Sequence, residues 1–323
     1  MSVSIDAMTD AENAAHAANK PLMLATNNSS IITTASSGWH PSTTSGSNET
    51  NVSVVTNAKV RGFDRIAGLT VSSTMASLSS TSSATSPTFR LQFSSSVIFD
   101  TVVIMGHNFG SVTNSGSSIT AQIVASDSTA TKVVSDTLTI ASGDNSRLVF
   151  THLYDASGSK PTFPKRVTIS GASTNRVQLK LSNVRGDTSI KPALGEMWVG
   201  RRRQLLHNPN LPFDDKSETG MVSDFSSKSG LTQRYTYHQG KALRTINKSV
   251  TDSAELSSIE SAFDDSDGFT KPIIWLENPA ATSPDAYLML PESPTLSLPL
   301  QGPIERVFST SLIEQPPFKS SGS

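Results

Sequence analysis

Cysteine is absent from all 323 positions of the chain. Disulfides, thiolate metal centres and cysteine nucleophiles are excluded together, so durability in an oxidising setting has to come from packing and assembly. Aromatic residues make up only 6% and charged residues 16%, the latter against about 25% in an average soluble domain. The 26 basic and 27 acidic side chains leave a net charge of −1. No overall field therefore exists to hold a nucleic-acid backbone or an anionic membrane surface. No apolar run approaches the ~20 residues of a membrane-spanning helix. Met1 to Lys20 carries Asp6, Asp10 and Glu12 without a basic-then-apolar run, so a secretory signal is not expected there.

Hydroxylated residues fill the space left by these absences. Ser (55) and Thr (34) account for 89 positions. They compete with helix backbone bonds, which makes this a strand-and-loop composition. The length suggests two domains at roughly 100–200 residues each. Ser and Thr thin out after Arg185-Gly186-Asp187 and Lys191-Pro192, which places a first domain over 1–190, a second over 191–315 and a flexible tail over 316–323. In the first segment Phe89, Leu91 and Phe93, and again Val177, Leu179 and Leu181, alternate with polar residues as a half-buried strand requires. Val102-Val103-Ile104-Met105 is instead continuous and suits a central strand covered on both faces. Further strands are expected at 22–25, 52–55, 66–71, 119–125, 133–140, 147–153 and 165–169. Together they predict an antiparallel jelly roll or β-sandwich, with long loops over Ser36 to Thr50 and Ser72 to Pro87.

The second segment predicts another β-sandwich carrying one short helix at about 253–264. Asp252 stands at an N-cap with Glu255 three residues on, the spacing of a reciprocal capping box, and Leu256, Ile259 and Phe263 form an apolar stripe. Leu231–Tyr237 and Lys241–Val250 flank His238-Gln239-Gly240 and read as a hairpin. Strands follow at 272–276, 286–290 and 304–313, with prolines at 291, 294, 299 and 303 fitting edges and arms that could extend over a neighbouring subunit.

Catalytic signatures are missing from the sequence. The six histidines show no pairwise spacing for a zinc site, and neither a nucleophile elbow, a P-loop nor a dinucleotide fingerprint occurs. The acid pairs Asp214-Asp215 and Asp264-Asp265 sit in polar surroundings expected to keep them solvated. No enzyme, cofactor or metal is expected. His107, with Asn108 and Phe109, follows the most apolar strand, where loop-borne functional residues often sit, although a turn histidine bonded to backbone is the simpler expectation. Arg201-Arg202-Arg203 directly follows Met197-Trp198-Val199-Gly200, and Arg beside Trp is typical of buried protein contacts and able to take a neighbour's carboxylates, so Trp198 and the three arginines are candidate interface residues.

Gly195-Glu196-Met197-Trp198-Val199-Gly200-Arg201, the 254–263 helix, Lys271-Pro272-Ile273-Ile274-Trp275-Leu276 and Leu298-Pro299-Leu300-Gln301-Gly302-Pro303-Ile304 occur in an order that resembles the C-terminal domain of tail-tip proteins of long-tailed bacteriophages, the distal-tail or minor-tail class. Phe99 to Asn108, with Gly38-Trp39-His40 as an early aromatic loop, is similar to galactose-binding-like (discoidin-type) jelly rolls. The resemblance implies a structural virion protein of the tail tip or baseplate. Such a protein would be made in the host cytoplasm and assemble as a homo-oligomeric ring or collar with tube, hub and fibre proteins as partners. The alternative expectation is a carbohydrate-binding module for host surface glycans, with Trp39, His40, His107, Asn108 and Phe109 as ligand residues.

Overall fold

A computed structural model describes residues 3–25, 32–41, 50–54, 85–112, 118–127, 129–144, 147–171, 175–184, 196–209, 214–218, 222–226, 232–236, 241–281, 284–293, 296–300 and 305–315. For 32–41, 50–54, 85–87, 214–218, 222–226, 232–236 and 241–244 the backbone alone is described. The protein is mostly β, built from antiparallel sheets with two α-helices among the described residues.

The first lobe is a sandwich. Its broad wall is an eight-stranded sheet ordered β12 (Leu153–Asp155), β9 (Thr131–Ser135), β8 (Ile119–Ser126), β14 (Arg176–Ser182), β5 (Thr85–Phe93), β3 (Ile32–Pro41) and β4 (Thr50–Val54), with β10 (Leu138–Ile140) also on β8. Facing it are two three-stranded sheets. One is β1 (Val3–Ala7), β13 (Lys165–Ile169) and β6 (Val97–Phe99); the other is β11 (Leu148–Phe150), β7 (Thr101–Met105) and β15 (Glu196–Gly200). The alternating residues of β5 and β14 meet Phe99, Ile123 and Ile169 in one apolar core. Each such fully buried side chain contributes about 1.5–3 kcal/mol of transfer free energy.

The second lobe is one seven-stranded sheet: β16 (Arg202–Gln204), β2 (Leu22–Leu24), β21 (Ile273–Leu276), β22 (Ala286–Pro291), β23 (Arg306–Glu314), β20 (Lys241–Val250) and β17 (Asp214–Glu218). Helix α2 (Ser253–Asp265) covers one face, placing Ile259 and Ala262 against Ile246, Trp275 and Phe308. The opposite face lies on the back of the β11-β7-β15 sheet, where Leu22, Leu24, Ile274 and Leu276 meet Val103, Met105 and Trp198. Val102–Met105 is thus covered on both sides, as its unbroken apolar run predicts: Val102 and Ile104 enter the first lobe's core, and Val103 and Met105 the shared layer.

Two strands pair across the expected domain boundary, which itself lies outside the described residues. β2, early in the chain, is hydrogen-bonded between β16 and β21 of the second lobe, while β15, late in the chain, pairs with β7 of the first. Between β1 and β2 runs a helix the sequence reading did not anticipate, α1 (Asp10–Ala17). Its cause is local. The Thr9 hydroxyl accepts from Glu12 N, and the Glu12 carboxylate returns to Thr9 N at 3.0 Å, a complete capping box.

Other expectations need correction. Asp252 does cap α2, accepting from Ala254 N at 2.6 Å and Glu255 N at 3.3 Å, but Glu255 does not return to the cap. It is buried instead, taking Leu206 N at 2.8 Å and His207 N at 3.2 Å, with Lys248 Nζ 3.3 Å away. The hairpin expected around residues 238–240 does not form. β20 has both edges taken by β17 and β23, so β19 (Thr232–Thr236) pairs with β18 (Val222–Ser226). Positions 36–41 of the first expected loop are strand, paired with β5. Of the proline-rich arm, Leu296 and Leu298 pack on the chain's own second core, and the Pro299 carbonyl accepts from Val307 N. The strand expected at 66–71, the stretches 42–49 and 72–84, and the tail 316–323 lie outside the described residues.

Candidate functional site

The chemistry concentrates at the seam between the lobes. Asp100 closes β6 and is wholly buried. One of its oxygens, Oδ1, accepts from Thr101 Oγ1 at 3.0 Å, Arg202 N at 2.9 Å and Arg202 Nε at 3.1 Å. The other, Oδ2, receives Arg166 Nε at 3.4 Å. The Arg202 guanidinium, also wholly buried, spends its remaining donors on the Asp100 and Thr151 carbonyls and on His16 Nδ1 at 3.0 Å. A guanidinium has no lone pair to offer, so His16 Nδ1 is the acceptor and the ring proton sits on Nε2. Arg166 also reaches Glu12, and Arg201 approaches the same carboxylate at 3.9 Å. Burial raises the pKa of Glu12, but its bonds from Thr9 and Arg166 outweigh that and hold the carboxyl below its ordinary value.

Beside this network opens a cleft of about 490 Å³, walled by His16, Asp136, Thr137, Leu138, His152 and Lys160 among others. The two imidazoles stand edge to face with centroids 6.4 Å apart. Burial, then the positive charge of Arg202, pushes His16 down to about 4. Burial likewise lowers His152. His152 Nε2 is buried with no hydrogen-bond partner. At the mouth, Lys160 Nζ and Asp136 Oδ2 pair at 2.7 Å. Among the described residues, no group of three or more His, Cys, Asp or Glu is placed to hold a metal ion.

The residues singled out from sequence fall in different places. Trp198 and Arg202 are buried inside the chain, so the contact they serve joins its own two lobes, and the carboxylates that the arginines meet are its own. Trp198 Nε1 donates to Glu196 Oε2 at 2.9 Å. Arg203 holds Asp265 through Nε at 2.9 Å and Nη2 at 2.6 Å, which ties the second of the expected solvated acid pairs to β16. His107, Asn108 and Phe109 are not a ligand edge: they are 4%, 2% and 0% exposed. His107 stacks on Phe109 at 4.4 Å and accepts from its backbone N at 3.3 Å, the turn role. The turn is tight, since a Cβ on Gly110 would lie 2.3 Å from the Asp144 carbonyl oxygen. Trp39 and His40 lie on β3 opposite Pro87 and Ser86, and their side chains are outside the description.

His16, Asp100, Asp136, His152, Lys160 and Arg166 were not singled out by sequence reasoning. Thr9-x-x-Glu12 was a readable signal for the helix that carries His16, whereas its partners stand between 84 and 186 positions away on separate strands and connecting segments. Fold and seam together define a two-lobed, mostly-β protein whose lobes are fastened by a buried arginine–carboxylate network. Compared with known proteins, the chain matches no family model, no curated protein and no solved structure.

Proposed function

We propose that this chain is a structural subunit of the tail tip of a long-tailed bacteriophage, a ring or collar component between the tail tube and the receptor-binding apparatus. The observation that carries the proposal is the seam: a shared apolar layer and a buried ion-pair network make the two lobes one stiff body, which is what a subunit transmitting contacts through a ring requires. The order of motifs over 190–315 supports it from the sequence side. Glycan binding through the 107–109 turn is disfavoured, because those side chains have no surface to present.

Sedimentation velocity across a concentration series, followed by negative-stain averaging, tests the proposal. Concentration-dependent growth to one closed ring is the expected result. A strict monomer at every concentration, still monomeric when mixed with tail-tube protein, overturns it.

A further inference from the structure

We propose that α1 is an acid-released latch: it is held on the seam chiefly by two titratable acceptors, Glu12 and His16, and lets go as they are protonated while the strands on either side of it stay paired. Little else holds the helix. Of its eight residues only Ala15 and His16 are buried, so its buried apolar surface is one methyl group. An isolated helix shorter than about 12–15 residues is marginal in water. The flanking strands are fixed differently. β1 is paired with β13 along its whole length, and Leu22 and Leu24 of β2 are wholly buried in the layer between the lobes. Just after the helix, Asn19 Oδ1 accepts from Ala280 N at 2.8 Å, a tie that does not titrate. The chain between β1 and β2 is thus a span with fixed ends and a polar middle.

Both ties run to guanidiniums, which keep their charge when the acceptors lose theirs. His16 Nδ1 accepts from Arg202 at 3.0 Å, and a second proton on the ring would abolish that acceptor and set two cations against each other. Around the same ring stand His152, with its centroid 6.4 Å away, Asp100 on the far side of Arg202, and the Asp136–Lys160 pair on the cleft wall. Asp100 favours a charged ring, but burial and Arg202 oppose it more strongly and hold His16 at about 4. Glu12 accepts from Arg166 of β13 and lies 3.9 Å from Arg201. It also closes the helix cap by accepting from Thr9 N at 3.0 Å and Thr9 Oγ1 at 2.9 Å, so its protonation loosens tie and cap together. Both groups are depressed in the closed state. Both therefore stabilise it above their ordinary values and cease to as pH falls, His16 from 6.5 downward and Glu12 from 4.5. Release takes His16 out of the cleft wall and unmasks the Arg166 and Arg202 guanidiniums.

The latch is a property of one chain and does not depend on the assembly proposed above. The test is amide hydrogen exchange of the full chain by mass spectrometry at about pH 7.5 and about pH 4.5, each rate divided by the intrinsic chemical rate at that pH. With His16 moving between 6.5 open and about 4 closed, opening of α1 is expected to become on the order of 50-fold more favourable at the lower pH, read as an equal fall in protection of the amides of 13–18. Amides of β14 and β21 are expected to change less than about threefold. In the double variant Glu12→Gln with His16→Gln, whose neutral side chains still accept from the arginines, the α1 response is expected to shrink below about fivefold. A helix already unprotected at the higher pH, an α1 response below about fivefold in the wild type, or an equal fall in β14 and β21 each overturns the proposal. So does a folded double variant that keeps the full response. The wild-type comparison decides by itself if the double variant does not fold.

Discussion

Asp100 with Arg202 and Asp136 with Lys160 are both aspartate–cation pairs, yet they belong to different regions and do different work. The Asp136 pair is the shorter, 2.7 Å against 3.1 Å, but its side chains are 37% and 52% exposed, while those of Asp100 and Arg202 are 0% exposed. Separation alone would rank them wrongly. Water screens the exposed pair and competes for both partners, so it contributes little. In the seam no water replaces a lost partner, and the residue left behind is an uncompensated buried charge.

Breaking the comparison at its strong end is expected to have the largest effect. Asp100→Ala leaves Arg202 without its main acceptor and is expected to destabilise by about 3–5 kcal/mol in guanidinium unfolding. The double change Asp100→Leu with Arg202→Met is expected to recover much of that, since apolar replacement of a whole buried pair is often neutral. A loss below about 1 kcal/mol for Asp100→Ala would mean the seam is wetter than its burial implies.

Acid is expected to act next. The folded-state pKa of His16 is depressed, so its contribution is fully present above the ordinary value of 6.5 and fades as pH falls towards about 4. The facing groups are Arg202 on β16, His152 beyond β11 and Asp100 after β6; burial and the charge of Arg202 disfavour a protonated ring, His152 adds to this only when it is itself protonated, and Asp100 only partly offsets them. At about 1.4 kcal/mol per pKa unit, roughly 3 kcal/mol of stability disappears across that window. The thermal midpoint should drop accordingly, and His16→Gln, which can still accept from Arg202, should flatten the pH profile.

Smaller changes sharpen the contrast. Thr9→Ala removes the cap of α1 and half of its reciprocal box, for an expected loss of about 1 kcal/mol in thermal unfolding. Lys160→Ala removes the shortest of the compared contacts, yet should shift stability by less than about 0.5 kcal/mol. A larger effect for Lys160→Ala than for Thr9→Ala would overturn the ranking by burial.

How far the sequence reaches follows the same division between local and distant causes. The unbroken run at Val102–Met105 announces a doubly covered strand, and the Asp252 cap with the Ile259 stripe announces α2, because both patterns are written within a few residues. The partners of Arg202 are not legible: the arginine is obvious, but Asp100 stands 102 residues before it and His16 186 before it. The failed hairpin is instructive. A glycine-bearing turn between two strands is a sound local signal, but a strand has only two edges, and those of β20 go to β17 and β23. Glu255 teaches the same lesson for caps. Its position fits the reciprocal box, but two backbone N–H groups and a buried lysine compete for its carboxylate and win.

The threading of the N-terminal segment carries a consequence for biosynthesis. Leu22-Met23-Leu24 leaves the ribosome early, yet the strand that flanks it at Ile273–Leu276 is made about 250 residues later. At about 5–20 residues per second that is a wait of roughly 12–50 seconds with three apolar side chains uncovered. The nascent protein is therefore expected to be most vulnerable to chaperone capture and mispairing during translation, until this early strand is clasped and the last sheet can close.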